Sequence, residues 1–104
     1  MTDKILVLST AGSEAEASKI AHTLVERQFA ACVNILPKVK SIYQWQEKIE
    51  ESEEWLLVIK TRRELFEKVR EAIKELHSYE LPECISVQIE DGSPEYLQWV
   101  DASV

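Results

Sequence analysis

Residues 30–61, AACVNILPKVKSIYQWQEKIEESEEWLLVIKT, contain two long runs of strand-forming residues on either side of a short polar turn at Gln46-Glu47-Lys48. Each run has roughly 13–16 residues, whereas strands in globular proteins usually have about 5–6. The segment therefore predicts a long antiparallel ribbon. Pro37 predicts an edge position or a bulge in the first arm, because proline donates no hydrogen bond to the ladder.

An amphipathic helix is predicted on each side of this ribbon. Ser13 with Glu16, and Thr61 with Glu64, form capping-box patterns that are followed by apolar residues at helical spacing. The two predicted helices run from about Ser13 to about Gln28 and from Thr61 to about His77.

The remaining apolar runs complete a βαββαβ order. Strands are predicted at Lys4–Thr10 and Cys84–Ile89, and Ser93-Pro94 begins a short C-terminal helix. The simplest fold is one α+β domain over residues 1–104 with a ferredoxin-like antiparallel sheet in the order 4-1-3-2. Two helices then cover one face, and the long ribbon formed by the second and third strands extends beyond them.

The ribbon also predicts an oligomer. A two-stranded ribbon is marginal in water, yet this one carries Tyr43, Trp45 and Ile49 near its tip. We expect these residues, with Trp99 of the C-terminal helix, to contact another copy of the chain. Two alternatives stay open at this point: the ribbon folds back on its own sheet, or Pro37 divides the first arm into two short strands.

Composition narrows the class of protein. The net charge of −7 opposes a nucleic-acid partner, and the first strand lacks the aromatic residues with which RNA-recognition modules stack on bases. No run is long enough to span a membrane. The two cysteines, Cys32 and Cys84, are predicted to be free thiols that pack as small apolar side chains, and we expect a cytoplasmic protein.

Four groups of residues stand out by their order and spacing along nearly the whole chain: Leu24–Asn34, Ser41–Trp45 with Lys60-Thr61, His77–Glu83 and Tyr96–Trp99. Together they resemble the signatures of the CutA divalent-cation tolerance family. The resemblance implies a tight homotrimer, similar to signalling proteins of the PII type, that binds copper or another divalent cation and takes part in metal tolerance. The alternative that it implies is a trimeric scaffold or small-molecule sensor in which metal is incidental.

The resemblance assigns the copper ligands to three positions, which here are Ser9, Leu76 and His77. Only His77 keeps a metal-ligating side chain, so His77 is the predicted metal residue. A structural role at the end of a helix would also explain it. Ser78 stands where the family has proline, and Glu47 stands where it has glycine.

A ligand pocket is predicted from the densest part of the same signature, at Lys60, Tyr79 and Glu83. A charged pair with an aromatic wall suits a small-molecule site between protomers, although loop packing and strand ends would also account for these residues. The five glutamates of residues 47–54 are interpreted as a solvated face, and the alternative is that their carboxylates bind hard cations. No catalytic constellation is present, and no enzyme activity is predicted.

Overall fold

The computed structural model describes residues 2–104 and has four strands and three α-helices. The strands are β1 Lys4–Ala11, β2 Cys32–Trp45, β3 Lys48–Arg62 and β4 Ile85–Gln88, and the helices are α1 Glu14–Glu26, α2 Phe66–Leu76 and α3 Pro94–Ala102. The sheet is antiparallel in the order β2-β3-β1-β4, which confirms the predicted ferredoxin-like α+β fold. No helix within residues 2–104 is long and apolar enough to cross a bilayer.

One hydrophobic core lies between the sheet and the first two helices. Alternate residues of β1 and β3, such as Val7 and Ile59, point towards Ile20 and Leu24 of α1 and Ile73 of α2. Both helices therefore cover the same face of the sheet. The short helix α3 contacts β3, and its Asp101 lies 3.4 Å from Lys4 Nζ and 3.5 Å from Arg62 Nη1.

The ribbon is as long as predicted, with 14 residues in β2 and 15 in β3. β1 pairs with only the second half of β3, from Trp55 to Arg62, so the first half of β3 is paired with β2 alone. The ribbon therefore projects beyond the core. It does not fold back on its own sheet, and Pro37 does not divide its first arm into two strands. Pro37 lies at an irregularity between Leu36 and Val39 in an edge strand, as the proline indicated.

The hairpin turn is tighter than predicted, because Trp45 pairs directly with Lys48 and leaves only Gln46 and Glu47 in the loop. Both loop residues have positive φ, 51° and 66°. This is the geometry of a two-residue turn in which Asn and Gly are the favoured residues. Glu47 therefore adopts a left-handed conformation that costs free energy for any residue with a Cβ.

The two predicted helix caps have different outcomes. The Ser13 side chain accepts a hydrogen bond from the backbone N–H of Glu16 at 3.1 Å, as a cap should. Thr61 is not a cap: it is fully buried in β3, and its hydroxyl donates to the carbonyl oxygen of Phe29 at 2.6 Å. A short 3₁₀ turn, Arg63–Leu65, precedes α2 instead, with no side-chain cap.

Candidate ligand cleft beside the ribbon

A cleft of about 610 Å³ lies between the ribbon and the loop that follows α2. This volume is within the range of small-molecule sites. Of the three residues predicted to form a ligand pocket, Tyr79 and Glu83 line the cleft. The other lining residues are Thr10 of β1, Ser41, Ile42, Tyr43 and Trp45 of β2, Glu54 of β3, and Glu80 and Leu81 of the loop.

Tyr79 and Glu54 join the loop to the ribbon. The Tyr79 hydroxyl donates to Glu54 Oε2 at 2.8 Å. Burial, together with the neighbouring Glu54 carboxylate, raises the pKa of Tyr79 to about 12, so this hydroxyl is a neutral donor at physiological pH. Glu54 itself is only 6% exposed, so the interpretation of residues 47–54 as a solvated acidic face is wrong at this position.

His77 fixes the start of the loop. Its ring is fully buried, Nε2 lies 2.6 Å from the carbonyl oxygen of Thr10, and Nδ1 accepts a hydrogen bond from the backbone N–H of Tyr79 at 3.0 Å. These contacts fit a neutral imidazole with its proton on Nε2. The carboxylate of Glu16 holds the next residue by accepting from the backbone N–H and hydroxyl of Ser78 at 3.1 and 3.2 Å. The glutamate of the predicted capping box thus anchors the loop.

The metal chemistry predicted for His77 does not fit this arrangement within one chain. Both ring nitrogens already have hydrogen-bond partners, so neither offers a free lone pair to a cation. Ser9, at another family ligand position, is fully buried on the helix-covered side of β1. Among residues 2–104, no three His, Cys, Asp or Glu side chains are grouped for a metal ion. The role of His77 as a ligand stays a prediction.

Lys60 lies apart from the cleft. Its ammonium group donates to Asn34 Oδ1 and lies 3.9 Å from Cys32 Sγ. Lys60 pairs with Leu6 in β1, whereas Glu54 lies beyond the end of β1, six residues along the same strand. Six strand residues span about 20 Å, which is why the grouping of Lys60 with Tyr79 and Glu83 is not seen within one chain.

Sequence patterns did not identify Glu54 as a member of the cleft. It is the last of five closely spaced glutamates, and in the sequence it looks like the other four. The only available signal was its position directly before the apolar run from Trp55 to Ile59, where the strand enters the core.

The four residues expected to contact another copy are all exposed. Tyr43, Trp45 and Ile49 project from the ribbon, and Ile49 is 72% exposed. Trp99 lies on α3 beside Tyr96, with their ring centroids 5.5 Å apart. Cys32 and Cys84 are free and half-buried, and burial raises the pKa of the Cys84 thiol. Contact with a second chain stays a prediction.

These features define a ferredoxin-like protein with a projecting ribbon and an acidic, aromatic cleft. The chain matches the CutA1 divalent ion tolerance protein family over residues 5–103, and it belongs to that family. It is 46% identical over 95 residues to the divalent-cation tolerance protein CutA of Thermus thermophilus, with 91% of this chain and 92% of the relative covered.

Two further comparisons agree. The chain is 47% identical over 91 residues to the protein CutA homolog of Xenopus laevis, covering 88% of this chain but 60% of that longer protein. The crystal structure of CutA from Xylella fastidiosa superposes with a TM-score of 0.96 at 40% identity and covers 98% of both chains.

Proposed function

We propose that this protein is a homotrimer that binds divalent cations, copper foremost, and takes part in metal tolerance. The observation that carries the proposal is the apolar surface that one chain leaves uncovered. It comprises the ribbon residues Ile42, Tyr43, Trp45 and Ile49 and, at the edge strand β4, Ile85 and Val87. Surfaces of this kind mark interfaces, and closed rotational symmetry is the usual way in which identical chains cover them.

The cation part of the proposal is supported by the family and by charge. The relatives are named for divalent-cation tolerance, and the net charge of −7 attracts cations to the surface. Copper(II) prefers nitrogen and oxygen ligands, which His77 and neighbouring carboxylates could supply if the ring releases a hydrogen bond. The site that we propose is completed by a second chain or by water. We further propose that the protein binds its ligand without catalysis. We also propose a cytoplasmic location, which the two free thiols support because thiols stay reduced in that compartment.

A second candidate function is favoured by the cleft. A cavity of about 610 Å³ with aromatic walls is large for a single metal ion and suits a small organic molecule. In this alternative the protein is a trimeric sensor or scaffold comparable to PII proteins, and metal binding is incidental.

The test of assembly is the mass in solution. Light scattering should give about 36 kDa, three times the 12.0 kDa of one chain. Ile49→Lys should lower that mass, because it places a charge in the proposed interface. Val25→Lys is the matched control, since Val25 is also an exposed apolar residue but lies on α1. A monomeric wild type, or equal effects of the two variants, would contradict the trimer.

The test of metal binding is calorimetric titration of copper(II) into the same samples. Tight binding should be lost in His77→Ala and retained in His22→Ala, the only other histidine of the chain, which is exposed on α1. Unchanged copper binding in His77→Ala would contradict the metal site and favour the sensor or scaffold function.

A further inference from the structure

Glu54 is a buried carboxylate without a cationic partner. Only 6% of the residue is exposed, and the one hydrogen bond that its side chain makes in the described part of the chain comes from the Tyr79 hydroxyl to Oε2. Within residues 2–104, no lysine, arginine or histidine forms an ion pair with it. Burying a carboxylate costs free energy unless a positive charge lies beside it. A cation bound next to Glu54 would therefore stabilise this side chain.

The walls of the cleft are suited to a particular kind of cation. Tyr43, Trp45 and Tyr79 contribute three aromatic rings, and Ile42 and Leu81 add aliphatic surface. The faces of aromatic rings attract ammonium and guanidinium groups, and the same rings pack against apolar carbon. Glu80 and Glu83 also line the cleft and add negative charge to it.

We propose that the cleft binds an organic cation with a primary ammonium or guanidinium group on an apolar body. The charged group lies against the free carboxylate oxygen of Glu54, and the body packs between Trp45 and Tyr79. This inference rests on the second candidate function, the small-molecule sensor, and names the class of its ligand. It does not depend on copper binding.

The donor set favours an organic cation over a metal ion. Hard divalent cations take six or more oxygen ligands, and structural zinc takes four nitrogen or sulfur ligands. In the cleft one Glu54 oxygen is already held by Tyr79, and the described residues gather no three metal-ligating side chains. An ammonium group needs only one or two acceptors and gains from the rings as well.

The competing occupant is a lysine or arginine side chain from a second copy of the chain. Tyr43 and Trp45 are also predicted to contact another copy, so a partner chain could place its own cation beside Glu54. The two occupants are separable, because a small amine binds saturably from solution whereas a partner side chain changes the oligomeric mass.

The experiment is calorimetric titration of 2-phenylethylamine, with 2-phenylethanol as the uncharged probe of the same shape. Saturable amine binding should weaken at least about tenfold in Glu54→Gln, because a charge-assisted contact is lost, and the alcohol should bind correspondingly weakly to the wild type. Glu53→Gln is the matched control: Glu53 is the neighbouring glutamate of β3, is exposed and does not line the cleft. It should leave the affinity unchanged.

Trp45→Ala provides a second variant, at an exposed position where misfolding is less of a risk, and it should also weaken the amine. Equal binding of amine and alcohol, equal effects at residues 53 and 54, or no saturation by the amine would overturn the proposal. A fall in oligomeric mass in Glu54→Gln without amine binding would assign the site to a partner chain. The oligomeric mass and the copper affinity, measured on the same samples, test the copper-binding trimer independently of amine binding.

Discussion

Replacing Gly12 with alanine should break the hydrogen bond between Tyr79 and Glu54. A Cβ at this position would lie 2.9 Å from Tyr79 Oη, and 3.5 Å from Cε1 and Cζ of the same ring. Gly12 does not have a positive φ, so the substitution introduces no backbone strain. Its effect therefore comes from the hydroxyl, which must move away and release Glu54.

The expected magnitude follows from that hydrogen bond. A hydrogen bond to a charged acceptor contributes about 1.5–3 kcal/mol, and the lower value applies because Tyr79 is 38% exposed. Gly→Ala also stabilises by about 0.5 kcal/mol through the unfolded chain. Gly12→Ala should thus destabilise by about 1 kcal/mol. In a Tyr79→Phe background, which has no hydroxyl, it should instead stabilise by about 0.5 kcal/mol.

The assay is denaturant unfolding of the wild type, both single variants and the double variant. Tryptophan fluorescence can follow the transition, and one protomer concentration should be used throughout because association shifts the midpoint. The four free energies of unfolding should give a coupling of about 1.5 kcal/mol between the two positions. A coupling within about 0.5 kcal/mol of zero would refute the proposed contact.

Four further predictions concern single residues. Thr61→Val should destabilise by about 1–3 kcal/mol in denaturant unfolding, because the partly buried carbonyl of Phe29 loses its donor, while Thr61→Ser should retain most of the stability. Ser9→Ala should stabilise by about 1 kcal/mol in the same assay, since the fully buried Ser9 hydroxyl has no partner within residues 2–104; a loss of stability would show that it is satisfied. Glu47→Gly should raise the thermal midpoint, with a gain of about 0.5–1 kcal/mol from relief of the positive φ, and a lowered midpoint would contradict the turn geometry. The pKa of Tyr79, raised to about 12, predicts stability that is complete below about pH 10 and is lost between about pH 10 and 12, as the unfolded tyrosine ionises first. Absorbance titration of tyrosinate should show that late step in the wild type and not in Tyr79→Phe.

The fold was predictable because its signals are periodic and local. Apolar residues repeat at helical spacing in α1 and α2 and run nearly unbroken in β1, and two arms of 14 and 15 residues cannot fit within one small core. The cap at Ser13 was also predictable, since its hydrogen bond joins residues three apart. Thr61 shows the limit of that pattern. It has the same local motif, but it does not cap a helix because its side chain is buried in β3 and donates to the carbonyl oxygen of Phe29.

The cleft was only partly predictable. A pocket between protomers that combines Lys60 with Tyr79 and Glu83 stays a prediction. Within one chain, Tyr79 and Glu83, which were selected through the family signature, line the cleft, whereas Lys60 lies about 20 Å along β3 from Glu54. The distance depends on which residue of β1 is opposite each residue of β3, and that register is not visible in a list of motifs.

The sequence alone determined the class of fold, the projecting ribbon and the acidic character of the protein, because periodicity, length and charge are properties of the chain itself. Only the tertiary structure decided what His77 and Glu54 do. Their partners, Thr10 and Tyr79, are 67 and 25 residues away in the chain. Contacts at such separations arise when packing brings distant segments together, so the hydrogen bonds of His77 and the burial of Glu54 could be known only from the folded chain.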